Sequence, residues 1–159
     1  MLFRSEDLWK RYLDEKEIVE GEDIISEPYY TGSGFMRKIP RYYQRIAVNR
    51  TIEAIANGQN RILLVMATGT GKTFTAFQIA HRLWKSGAKK KILYLADRNI
   101  LIDQTMEQDF KPFEKVMTKV QNHELNSSYE VFFSLYHQLV NTESEHQPYM
   151  DLEDRKSVV

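Results

Sequence analysis

The sequence contains no cysteine, which excludes disulfides and thiolate metal sites and fits a reducing compartment. It has no net charge either, with 22 Lys and Arg against 22 Asp and Glu. Whole-chain charge therefore exerts no pull on a polyanion, and any nucleic-acid contact has to come from local patches. No apolar run approaches the ~20 residues needed to cross a bilayer. The N-terminal M-L-F-R-S-E-D-L-W-K-R has acids where a signal peptide carries its apolar core, so a cytoplasmic protein without membrane contact is expected. The histidines at 81, 123, 137 and 146 share no ligand spacing and have no cysteine partners, which argues against a metal site built on them. No internal repeat is visible. What is present is a chain of 159 residues, 42% of them hydrophobic, enough for one globular domain with a substantial core.

The most informative stretch is residues 61–74, R-I-L-L-V-M-A-T-G-T-G-K-T-F. Residues 62–66 have the length and apolar character of a buried strand, and they run into a loop with two glycines closed by Lys72 and Thr73. Apolar residues then recur at helical spacing at Phe77, Ala80, Leu83 and Trp84. Strand, glycine loop and helix in that order are the setting of a phosphate-binding loop. Gly69 and Gly71 free the backbone so that successive N–H groups converge on phosphate oxygens at the positive end of a helix. Lys72 is placed to reach β- and γ-phosphates, and the Thr73 hydroxyl suits Mg²⁺. The strict motif G-x-x-x-x-G-K-[ST] has Met66 in its first glycine place. The bland alternative is a tight strand-to-helix turn with a surface lysine.

Along the rest of the chain, Ser5 caps an expected helix to about Leu13, with Leu8, Trp9 and Tyr12 or Leu13 toward one face. The acidic run from 14 to 25 reads as a solvated face or linker. Residues 28–34 are loop-like, and a helix follows Pro40, with Val48, Ile52 and Ile55 as its apolar stripe and Gly58 at its end. The lysines at 89–91 read as solvated turn chemistry, with phosphate binding as the rival. Strands are expected at 92–96, 116–120 and 130–134. A helix is expected from 99 to about 110, ended by Pro112, and a short one through Val140. Strand, helix, strand is the crossover unit of a parallel sheet. The aromatic side chains of Phe74, Phe77, Trp84, Phe132 and Phe133 read as core.

Taken in order, R-Y-Y-Q, M-A-T-G-T-G-K-T, I-L-Y-L-A-D-R-N and V-F-F-S-L-Y-H-Q-L resemble consecutive motifs of a superfamily 2 helicase motor. They look most like the motor of the restriction (R) subunit of type I restriction-modification enzymes. The resemblance implies an α/β fold, a three-layer P-loop (RecA-like) parallel sheet, incomplete, with an N-terminal helical lead-in. Residues 1–39 are then a lead-in or linker and 40–159 part of the first RecA-like, ATP-binding lobe. It further implies ATP and Mg²⁺ as cofactors, double-stranded DNA as partner, and modification and specificity subunits as companions in a restriction complex. Lys72 and Thr73 take the catalytic places. Arg41, Gln44, Thr68, Gly69, Thr70 and Gly71 join them in holding the nucleotide. Gln44 matches the glutamine that reads adenine, an amide that both donates and accepts.

An apolar strand ending in Asp97 is also how a Walker B element begins. Arg98 follows where that element has its acid, and L-A-D-R-N resembles the motif that touches the DNA backbone. Arg98 and Asn99 are accordingly expected at DNA phosphates, with Asp97 as a turn or cap residue. Ser134 is expected at DNA too, although Leu135 stands where the family has a second hydroxyl. After the Ser134 motif the sequence shows no Asp-Glu motif on a further strand, no coupling motif and no second motor lobe, and no nuclease domain precedes the motor motifs, so a segment of a larger protein is expected. Two functions compete. One is the ATP-binding segment of a DNA translocase that powers restriction, or a piece of another superfamily 2 helicase. The other is a nucleotide- or DNA-binding interaction module without turnover.

Overall fold

A computed structural model of the chain describes residues 5–18, 21–32, 37–120 and 128–136. They fall into two compact units, Met1–Ala88 and Lys89–Val159. The first is helical: α1 (Ser5–Glu15), α2 (Glu22–Ser26), α3 (Tyr42–Ala56) and α4 (Lys72–Lys85). Its core joins Ile24 of α2, Val48 and Ile52 of α3, and Ile79 and Leu83 of α4. Each of the two long helices contributes apolar residues at i, i+4 spacing, as a helix with one buried stripe must. Gly58, at φ 78°, follows α3 as expected.

The lead-in departs from expectation in two places. Leu8 is 53% exposed, and α1 instead turns Trp9 and Tyr12 inward, their rings stacked at 5.4 Å and 19°. Tyr12 donates its hydroxyl to the Glu53 carboxylate of α3 at 2.6 Å, and the Trp9 indole N–H donates to Glu22. The acidic run is also more than a linker. Its end forms α2, whose Ile24 is buried while the acids Glu22 and Asp23 occupy the first turn, where the helix dipole favours them.

The second unit contains β1 (Ile92–Ala96), α5 (Asn99–Glu107), a 3-10 turn (Lys111–Phe113), β2 (Met117–Lys119) and β3 (Val131–Leu135). All three expected strands are present, in the order β1-β3-β2 with both pairings parallel. Every residue of β3 is buried, which is why V-F-F-S-L lacks the apolar–polar alternation of a strand with one wet face. Helix α5 packs on β1 and β3. It stops at Glu107, short of 110, and Phe110 and Phe113 enter an aromatic cluster with Tyr94 and Phe133, ring centroids 5.2–5.7 Å apart. The short helix expected through Val140 lies outside the described residues. The fold class is α/β with an incomplete parallel sheet, as expected, and among the described residues no helix is long and apolar enough to cross a membrane.

One expectation is overturned. Residues 62–66 form no strand, and residues 62–65 are exposed, Leu63 by 86% and Val65 by 88%. Apolar residues become a strand only when another strand satisfies their backbone N–H and C=O groups. Among the described residues none pairs with them. Residues 62–66 therefore supply no strand for the crossover unit expected of them.

The buried face of α4 also carries a titrating group. His81 sits among the rings of Tyr30, Phe77 and Trp84. Burial, and then the nearby Lys85 charge, lower its pKa from the ordinary histidine value. The folded chain thus favours neutral imidazole. The resulting stability is complete above the unfolded-state pKa of about 6.5 and is lost as pH falls through the lower folded value. The His81 ring resonances should titrate below the free-histidine range, and the urea midpoint should drop in the same acidic window. A His81 titration at or above the ordinary value would exclude this account.

Candidate functional site

The glycine loop joins residues 62–66 to α4. Gly69 and Gly71 have φ of 78° and 80°, left-handed conformations that side-chain-bearing residues adopt at a cost. Gly71 is also the N-cap of α4. The first-turn N–H groups of α4 have no intrahelical acceptor, and the helix dipole places positive potential there. Thr70 closes the turn, its N–H and hydroxyl both directed to the Ala67 carbonyl at 3.4 and 2.6 Å. Lys72 folds its ammonium back over the loop, 3.3 Å from the Ala67 carbonyl and 3.5 Å from that of Met66. Thr73 is half-buried in the first turn, and Thr68 is exposed. The next threonine, Thr75, is buried and donates its hydroxyl to the Gly71 carbonyl at 3.1 Å.

The start of α3 grips this loop. Gln44 is buried, and both ends of its amide are engaged by the chain itself. Its Oε1 accepts from the Arg41 backbone N–H at 2.9 Å, part of a capping box. Its Nε2 donates to the Thr70 carbonyl at 2.8 Å. Tyr43 donates to the same carbonyl at 3.3 Å, and Arg41 Nη1 donates to the Tyr43 hydroxyl at 3.1 Å. The fit is close: a Cβ added to Gly71 would lie 2.5 Å from Gln44 Nε2. Arg41, Gln44, Thr70, Gly71 and Lys72, predicted from separate motifs, thus meet in one place. Its chemistry is that of a preorganised set of N–H donors and one ammonium, suited to an anion with several oxygens.

Sequence reasoning missed the side chains that hold this assembly from behind. Gln78 is completely buried, and its amide binds Tyr30 twice, accepting from the backbone N–H at 3.0 Å and donating to the carbonyl at 2.7 Å. Arg82, also buried, donates to the Ile25 carbonyl at 2.5 Å and to Asn49 Oδ1 at 3.1 Å. The available signal was a pair of polar residues at i, i+4 within an otherwise buried run, Phe77 to Leu83.

In the second unit Arg98 and Asn99 are exposed just past the C-terminal end of β1. Arg98 caps α5 with extended backbone, and its side chain lies 3.6 Å from the Asp97 carboxylate, both well exposed. The register Ala96↔Leu135 brings the end of β3 to the same edge, where Tyr136 is 61% exposed. Ser134 is a correction. It was expected at DNA but is fully buried within β3, its hydroxyl donating to the Leu135 carbonyl at 3.1 Å. A strand buried on both faces leaves it no surface.

Comparisons with known proteins bear on the family and the fold. Residues 37–159 match the family model described as Type III restriction enzyme, res subunit. The chain is 51% identical over 145 residues to the type I restriction enzyme EcoAI endonuclease subunit of Escherichia coli, covering 90% of this chain and 18% of that protein. It is 36% identical over 124 residues to the EcoKI endonuclease subunit of Escherichia coli K12, covering 77% of this chain and 10% of the relative. A solved fragment of an HsdR subunit of a type I restriction enzyme from Vibrio vulnificus YJ016 superposes with a TM-score of 0.66 at 33% identity, over 84% of this chain and 24% of that one. The chain therefore spans less than a fifth of the curated relatives it matches. With most of its length inside the family model, the chain belongs to the res-subunit family of restriction enzymes, as a helicase-like domain similar to those of type I endonuclease (R) subunits.

Proposed function

We propose that the chain is the ATP-binding segment of a DNA-translocating motor in a type I restriction endonuclease R subunit, with residues 1–39 as lead-in and 40–159 as part of the first motor lobe. One observation carries this reading: two glycines held at positive φ directly ahead of the first turn of α4, with Lys72 next in the chain. Thr68, Gly69 and Gly71 supply backbone donors for phosphate oxygens, Thr70 closes the turn that presents them to the nucleotide, and Lys72 supplies the full positive charge. Thr73 supplies a hydroxyl for Mg²⁺, which characteristically keeps water and nucleotide phosphate as its other ligands. In this reading Arg41 and Gln44 serve the base, Gln44 with one amide hydrogen and one lone pair beyond its bonds to the chain. Bound there, Mg·ATP supplies the phosphoryl-transfer chemistry that drives such motors.

The polypeptide 1–159 is expected to bind Mg·ATP weakly, with Kd on the order of 10⁻⁴ M or weaker, and to hydrolyse it no faster than buffer. Asp97 is followed by Arg98, with which it pairs, where a Walker B element has its second acid, so the carboxylate that would polarise water is missing from this motif. Titration calorimetry and a phosphate-release assay test both halves. Absence of binding at millimolar Mg·ATP would defeat the nucleotide reading. Turnover abolished by Asp97→Ala would make β1 a Walker B strand.

The surface reading places double-stranded DNA at Arg98 and Asn99, beyond the C-terminal ends of β1 and β3. Arg98→Ala should lower the slope of log K against log salt by about one, the signature of one lost phosphate contact. An unchanged slope removes Arg98 from the interface. Modification and specificity subunits as companions, and the cytoplasm as location, belong to the same reading.

A further inference from the structure

One stripe of α4 is occupied from end to end by the lead-in. Phe74, Gln78 and Arg82 stand at i, i+4 and i+8, on one face of the helix. Each holds a different part of the lead-in. Arg82 takes the Ile25 carbonyl, Gln78 takes both backbone groups of Tyr30, and the Lys38 ammonium lies 4.3 Å from the centre of the Phe74 ring. The order 25, 30, 38 against 82, 78, 74 means that the lead-in runs antiparallel along α4, from its last turns to its first. Between these points Lys38 N–H donates to the Thr31 carbonyl at 3.1 Å. Tyr29 adds a tie to α3, its hydroxyl donating to Asn49 Oδ1 at 2.5 Å. The lead-in then reaches Arg41, whose N–H holds Gln44, whose amide holds Thr70.

We infer that residues 22–32 and 37–41 act as a strap that sets the shape of the glycine loop, with Gln78 as its central positioning residue. The strap fixes α4 at its start and end and delivers Arg41 to Gln44, so the loop conformation depends on contacts made nearly three turns down the helix. A ligand that selects the formed loop must then tighten the strap, and a loosened strap must weaken the ligand, because coupling between two sites is reciprocal. The competing account is a buried glutamine that ties down a neighbouring segment with only local effect.

The test is amide hydrogen exchange on the full chain without nucleotide, comparing wild type with Gln78→Leu. Gln78→Leu leaves the Tyr30 backbone groups without their partners while retaining apolar bulk. Amides of residues 22–31 should exchange faster, and the loop-reporting amides of Thr70, bonded to the Ala67 carbonyl, and Thr75, bonded to the Gly71 carbonyl, should follow by on the order of tenfold, while those of 48–55 stay protected. A freed strap with an unchanged loop would overturn the proposal. Should Gln78→Leu lose protection everywhere, Tyr29→Phe, which deletes the hydroxyl on Asn49, decides: a smaller rise at the Thr70 and Thr75 amides supports the strap, and no rise there overturns it. A second arm rests on the nucleotide reading. Mg·ATP should slow exchange at 22–31 in wild type and do so less in Gln78→Leu; equal slowing in both counts against the coupling. Failure of wild type to bind Mg·ATP sinks the nucleotide reading alone, since the ligand-free comparison still decides the strap.

Discussion

Lys72→Ala is expected to weaken Mg·ATP binding by about 100-fold or more. An ammonium that bonds to phosphate oxygens makes charge-assisted contacts worth about 1.5–3 kcal/mol each, and about 2.7 kcal/mol is 100-fold in Kd. The same change should cost the fold little. Lys72 is exposed, and its bonds are to two loop carbonyls that water can reach equally well, so a stability change within about 0.5 kcal/mol is expected. Calorimetry beside a urea titration separates the two quantities. Retained affinity in Lys72→Ala would mean that the loop does not hold phosphate.

Gly71→Ala should destabilise the chain strongly, and Gly69→Ala should not, although their backbone angles are nearly the same. At φ 80° and 78° an added Cβ costs each about 1–2 kcal/mol. Their surroundings differ. At Gly69 the methyl would enter open space, with nothing within 4 Å, whereas at Gly71 it would sit 2.5 Å from Gln44 Nε2. Gln44 is buried and bonded at both ends, so moving its amide gives up two hydrogen bonds at about 1 kcal/mol each. The expected total is about 3–4 kcal/mol for Gly71→Ala. Urea midpoints for the two variants check this, and equal midpoints would show that Gln44 does not hold the loop. Gln44→Ala combined with Gly71→Ala should then lose less than the sum of the single changes, because the overlap has gone.

Much of this is legible in the sequence because it is local. The glycines, Lys72 and Thr73 follow one another in the chain, and V-F-F-S-L and I-L-Y-L-A announce strands by their own composition. Other features depend on partners that no local pattern encodes. Gln78 and Arg82 fit the polar side of an amphipathic helix as well as a buried stripe. What decides is a backbone segment 48 residues earlier for Gln78, and 57 for Arg82. Ser134 reads as a surface hydroxyl because its motif suggests one, but the strand around it is covered on both faces. Residues 62–66 have the composition of a strand without being one, since a strand is a property of two segments and only one of them is in the pattern. Gln44 is visible as a site residue, whereas its bond to Thr70 requires the fold.

The stretch at 62–66, exposed from Ile62 to Val65, has a practical consequence for handling the protein. I-L-L-V-M is uncharged, free of proline and glycine, and β-prone, and its backbone has no ladder partner among the described residues. Such a window is a template for its own kind: two chains meeting there can satisfy each other's N–H and C=O groups and bury Leu63 and Val65 at once. Arg61, immediately before it, is the nearest charge opposing that association. Concentrating the protein therefore favours intermolecular sheet growing from the very residues that lead into its glycine loop, and self-association would occlude the candidate ligand site before the rest of the fold is disturbed.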